Sequence, residues 1–114
     1  MPEGTKNFNV SEFSCHCGCG FNIIDQRVIN MAQIIRDELG VPVHVNSGCR
    51  CKTHNARVGG VKESYHMQGL AADLSCTLGG RILFTAIANL KAKMKLPDMQ
   101  YAIWYMRNVS QQFL

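Results

Sequence analysis

Apolar residues recur along this chain with two different periods. Val28, Ala32, Ile35 and Leu39 fall at spacings of three and four, with Met31 and Ile34 beside them. That stripe predicts a helix over residues 26–39 with one face on a core. Asp25 is placed to cap its start and Gly40 to end it. Val41, Val43 and Val45 then alternate with polar neighbours, as in a strand over 41–47, and Pro42 suits its start or an edge. Gly48 turns the chain, residues 52–58 suit a short helix, and Gly59-Gly60 breaks it. Residues 70–75 suit a short strand. A second clear helix is expected over 81–95, with Ile82, Leu83, Ala86, Ile87, Leu90 and Met94 inward and Leu96-Pro97-Asp98 as its stop. Residues 99–106 are rich in aromatic and β-branched side chains and read as a strand. Residues 1–12 read as irregular and 13–22 as a Cys/Gly-rich loop. Two helices and about three strands of mixed order give an α+β domain.

The length of 114 residues fits one domain, 1–114. At 46% hydrophobic and 18% charged, the composition excludes a disordered chain. No apolar run is long enough for a membrane span, so no membrane partner is expected. The opening Met1-Pro2-Glu3-Gly4-Thr5-Lys6-Asn7 lacks the apolar core of a signal peptide, which makes the cytoplasm of the producing cell the expected location. The net charge of +4 is scattered. Only Lys91, Lys93 and Lys95 cluster, at a helix end where the dipole favours cations, so no nucleic-acid partner is expected. Mild positive charge suits an anionic polymer without identifying one.

The candidate chemistry begins with His66 and, seven residues later, Asp73. Imidazole nitrogen and carboxylate oxygen are both zinc ligands. Seven residues exceed one helical turn and suit a loop carrying His66 that leads into a strand carrying Asp73. Gly69 lets the backbone bend between them, and Ala71 and Ala72 leave room near a metal. By spacing alone the pair is better described as a loop histidine and a capping aspartate.

The surrounding residues narrow this. Ser64-x-His66-x-x-Gly69-x-Ala71-x-Asp73 resembles the SxHxxGxAxD signature of the M15 zinc peptidases, the D-alanyl-D-alanine carboxypeptidase and endolysin-type enzymes that share a fold with the Hedgehog signalling domain. Ser47-Gly48-Cys49-Arg50-Cys51 is similar to the family's SGYRC segment, with Cys49 where tyrosine is usual. His54-Asn55, Val58-Gly59-Gly60-Val61 and Phe13-x-Cys15-x-Cys17-Gly18-Cys19-Gly20 also fit, so the resemblance covers about residues 8–106. It implies a small fold with two main helices on a short, mainly antiparallel sheet. It also implies a zinc ion on His66 and Asp73, and hydrolysis of peptidoglycan peptides, with the protein released to act on the cell wall. Arg50 would steady substrate and the developing oxyanion, and Ser64 would hydrogen-bond substrate or the metal ligands.

In that family the third ligand is a histidine on a C-terminal strand, with an acidic general base just upstream. Residues 99–107 resemble the strand leading there, but the sequence has no histidine after His66 and no Asp or Glu after Asp98. Three explanations stand: a truncated end, a site completed by His54, His44 or a cysteine, or a non-catalytic relative that binds wall peptides.

The remaining residues have plainer expected roles. His44 and His54 read as structural, and His16 as a weak candidate for a metal. Of the six cysteines, Cys15, Cys17, Cys19 and Cys51 could bind a metal. The favoured expectation is small, buried, reduced thiols in a tight glycine loop, ahead of a disulfide to Cys51. Cys76 reads as core. Tyr101, Trp104 and Tyr105 read as packing of the last strand, where Trp104 could line the cleft.

Overall fold

The structure, a computed structural model, describes residues 2–60, 64–93, 95 and 112–113. The strand expected at 99–106, with Tyr101, Trp104 and Tyr105, and the helix stop at 96–98 lie outside the described residues.

Helix α1 runs Gln26–Leu39, as its apolar stripe predicts. The Asp25 carboxylate accepts from the Arg27 N–H at 2.8 Å, and Gly40 closes the helix in the left-handed region. Arg27 also bonds Asp25 through its guanidinium, and these bonds hold the Asp25 carboxyl below the ordinary carboxylate range. Because the folded pKa is lowered, the cap's contribution is present above about pH 4, the unfolded value, and is lost as pH falls through the folded one. Asp25→Ala is expected to cost about 1 kcal/mol in urea unfolding at neutral pH, with the gap closing in acid.

Strand β1 is Val43–Ser47, two residues shorter than expected. It pairs antiparallel with β2, Asp73–Cys76, which starts three residues later than the expected strand. Pro42 has no N–H to give a ladder, so pairing begins only after it. A register irregularity between Val45 and Ser47 sets Ser47 opposite Asp73. The short helix α2 is Lys52–Arg57, and α3 is Gly80–Ala92. A two-residue strand β3, Gln112–Phe113, adds to β2 and gives the sheet order β1-β2-β3.

Two expectations are corrected. Ile82, expected on the inner face of α3, is 48% exposed, because Leu83, Ile87 and Leu90 form the inward stripe and residue 82 lies about 100° round from 83. Within 1–12, residues Val10–Phe13 are not irregular but form a 3-10 turn. Its Glu12 carboxylate accepts from the Asn9 N–H at 2.7 Å, a side-chain return bond that the Asn9-x-x-Glu12 spacing encodes.

The core joins these elements. Val28, Ile29, Ala32 and Ile35 of α1 meet Leu83, Ile87 and Leu90 of α3, with Val43, Val45, Leu74 and Cys76 of the sheet. Phe8 and Phe13, with ring centres 5.9 Å apart, belong to the same core. Cys76 is core, as expected, and His44 is exposed opposite Val43 and Val45. Among the described residues no helix is long and apolar enough to cross a membrane.

Candidate metal centre and the residues that hold it

The expected loop around His66 is a 3-10 turn, Tyr65–Gln68, capped at both ends by the motif's own residues. Ser64 Oγ accepts from the His66 N–H at 3.1 Å. Gly69 ends the turn at φ +72, and its carbonyl accepts from the Asp25 N–H at 2.9 Å, tying the turn to the start of α1. A Cβ at Gly69 would lie 2.3 Å from the Ile23 carbonyl oxygen. The motif glycine therefore answers both a left-handed backbone and a close approach.

The turn delivers His66 to Asp73. His66 is 9% exposed, and its Nδ1 lies 2.7 Å from the Gly48 carbonyl oxygen. A carbonyl only accepts, so Nδ1 carries the hydrogen and the neutral ring presents a bare lone pair at Nε2. That Nε2 faces Asp73 Oδ1 at 3.3 Å. In that form two acceptors face one another, an arrangement that a cation or a proton on Nε2 completes. Two ligands of a tetrahedral zinc, each about 2.0–2.1 Å from the metal, sit about 3.3 Å apart. The pair therefore fits a zinc ion, with Gly48 supplying the backbone bond that orients such histidines.

Arg50 is bound into the same group. Its N–H donates to the His66 carbonyl at 2.9 Å. Its guanidinium donates from Nη2 to Asp73 Oδ2, from Nη1 to Asn55 Oδ1 and from Nε to Ser47 Oγ, each at 3.1 Å. Asn55 is buried, and the backbone at Gly60 presses on it: a Cβ there would meet Asn55 Oδ1 at 2.2 Å. Three of the five guanidinium N–H groups are thus committed to holding the guanidinium plane beside Asp73. Arg50, Ser64, His66 and Asp73, separated by up to 23 residues, converge on one point.

Sequence reasoning gave no role to Asn55, Ser47 or the Gly48 carbonyl. The first two lie inside the matched motifs. A backbone carbonyl leaves no side-chain signature. Among the described residues no third His, Cys, Asp or Glu forms a three-donor group with His66 and Asp73. His54 belongs to α2 with its Nδ1 buried and unpartnered within the described residues. Burial, together with the charges of Arg50, Arg57 and His16, lowers its pKa.

The cysteines divide into two kinds. Cys49 and Cys76 are buried, Cys76 as the core residue expected, whereas the buried thiols expected at 15, 17, 19 and 51 are buried only at Cys15. Burial pushes the Cys49 thiol up to about 11, so it stays protonated. Cys15, Cys17, Cys19 and Cys51 instead gather at one point, with all four sulfurs within 4.8 Å of one another. Burial works to raise the Cys15 thiol, but N–H groups of Cys51 and Cys17 and the neighbouring sulfurs outweigh it and bring it down to about 7. The Cys19 and Cys15 sulfurs push Cys17 up to about 12.

A sequence model of the family described as Peptidase M15 matches residues 6–103. Neither a curated protein nor a solved structure matches the chain.

Proposed function

The chain belongs to the M15 peptidase family, and from that premise we propose that it is a zinc-dependent hydrolase of peptide links in bacterial peptidoglycan. The supporting observation is the His66–Asp73 pair. Its Nε2 and Oδ1 are aligned 3.3 Å apart, and the back of the histidine is fixed by the Gly48 carbonyl. His66 and Asp73 would hold the ion. When bound, zinc supplies Lewis acidity toward a carbonyl and toward water.

The protein's own groups do the rest. The Gly48 carbonyl fixes the His66 tautomer, and Ser64 fixes the turn on which the ring stands. Arg50 holds Asp73 Oδ2, leaving Oδ1 to face His66. The N–H groups of Arg50 not spent on Ser47, Asn55 and Asp73 are the donors for a substrate carbonyl whose oxygen gains charge as the bond breaks. A guanidinium already locked in place stabilises that charge without reorganising. The producing cell would hold the protein in its cytoplasm and release it to meet the wall.

The test is incubation of the zinc-supplemented chain with purified peptidoglycan and with a peptide ending in D-alanyl-D-alanine, followed by mass spectrometry. New termini that vanish with chelator and return with zinc are the expected result. A second reading, a groove that holds wall peptides without cutting them, is favoured by the two-donor count among the described residues. Wall binding with no new termini at any zinc concentration would favour that reading and sink the hydrolase.

A further inference from the structure

The sulfur cluster stands apart from the His66–Asp73 pair, and its residues do not behave as core thiols. Cys15 is buried, Cys17 and Cys51 are half-buried and Cys19 is exposed. Hydrophobic packing would not bring an exposed cysteine and a buried one to the same point from positions 15 and 51. All six cysteines are free thiols, so no covalent bond gathers them either.

The spacing suits one ion. Cys15 Sγ lies 3.4 Å from Cys17 Sγ, which lies 3.7 Å from Cys51 Sγ. Sulfurs at the corners of a tetrahedron about 2.3 Å from zinc are about 3.8 Å apart. The set therefore needs only small shifts to close on a metal. Backbone geometry prepares it. Gly18 and Gly20 take φ values of +86 and +85, which wrap the chain so that the sulfurs of three cysteines spaced two apart gather together. Three N–H groups then point at sulfur: Cys51 to Cys15 at 3.4 Å, His54 to Cys51 at 3.3 Å and Phe21 to Cys19 at 3.4 Å. Such donors favour the thiolate, the form that ligates.

We propose that Cys15, Cys17, Cys19 and Cys51 form a tetrathiolate zinc site, separate from the His66–Asp73 pair. Four protein ligands leave no open position, so this ion is structural. Each thiol yields its proton to solvent as it ligates. The ion staples the irregular loop after Phe13 to Cys51, which caps α2 and directly follows Arg50. It thereby holds the segment from which Arg50 reaches Asp73, in a chain whose N-terminal loop has little regular structure of its own.

The experiment uses the full chain purified under reducing conditions, as wild type and as the His66→Ala/Asp73→Ala double variant. Zinc is counted, and its ligands are read by X-ray absorption. The double variant is expected to keep one zinc in an all-sulfur shell. The same protein loaded with cobalt should show thiolate-to-metal charge transfer. Zinc should shield the four thiols from alkylation until a chelator exposes them. In Cys17→Ser the all-sulfur signature should be lost. Should that variant fail to fold, the absorption spectrum of the double variant still decides. Zinc that disappears with His66 and Asp73, a nitrogen or oxygen shell, another metal in zinc's place, or zinc-free protein with all thiols open to alkylation would each overturn the assignment.

Discussion

Asp73→Ala is expected to reduce wall-peptide cleavage by more than about 100-fold, the upper end of what loss of a ligand's supporting partner costs. The carboxylate has two jobs that alanine cannot share. Its Oδ1 faces His66 Nε2, and its Oδ2 receives Arg50. Removing it leaves one ligand of the pair and frees a guanidinium that is mostly shielded from water. Asp73→Asn separates the two jobs. The amide oxygen can still accept from Arg50, but the charge that draws a metal is gone. Asn should therefore lie close to wild type in urea unfolding and close to alanine in activity and in metal held at this site. Zinc in the sulfur cluster is unaffected by either change, so total zinc should fall by one and not to zero. Undiminished turnover in both variants would mean that other residues carry the cleavage.

Gly48→Ala is expected to cost about 3 kcal/mol or more, the upper part of the range for overpacked interiors. A Cβ at this position would lie 2.3 Å from the Phe13 carbonyl oxygen and 2.5 Å from its Cα. Both atoms are backbone, and Phe13 is fully buried, so neither can swing aside. The Cys49 N–H already bonds that carbonyl at 2.9 Å, fixing the two segments at this separation. The damage should also reach the site, because the displaced Gly48 carbonyl is the partner of His66 Nδ1. Gly40→Ala is the control. Its added Cβ meets nothing within 4 Å, and only the left-handed backbone is penalised, by about 1–2 kcal/mol. Equal urea midpoints for the two variants would show that the close approach at Gly48 has no energetic weight.

Much of this architecture is local and is readable in the sequence. The α1 stripe, its Asp25 cap and its Gly40 stop each depend on neighbours within a turn or two, so periodicity found them to the residue. The motif carrying His66 and Asp73 was legible for the same reason: ten consecutive residues contain the cap, the ring, the glycine bend and the carboxylate. The family assignment rested on several such segments in order, and the match over residues 6–103 bears it out.

Other features depend on partners distant in sequence. The strand limits moved because pairing across β1 and β2, with its irregularity at Ser47, sets where a ladder can form. Ile82 faces water because the packing of α1 and the sheet selects one stripe of α3 from two adjacent candidates. The sulfur cluster is hard to see in the sequence because CxCxC carries no familiar metal spacing, and its fourth member lies 32 residues beyond Cys19. Arg50 acquires Asp73, Asn55 and Ser47 only when the turn after β1 folds over the start of β2. By itself the sequence determined which side chains could do chemistry and the local turns that present them. Tertiary structure alone decided which of those side chains meet, because distances between segments far apart in the chain are set by packing and not by spacing.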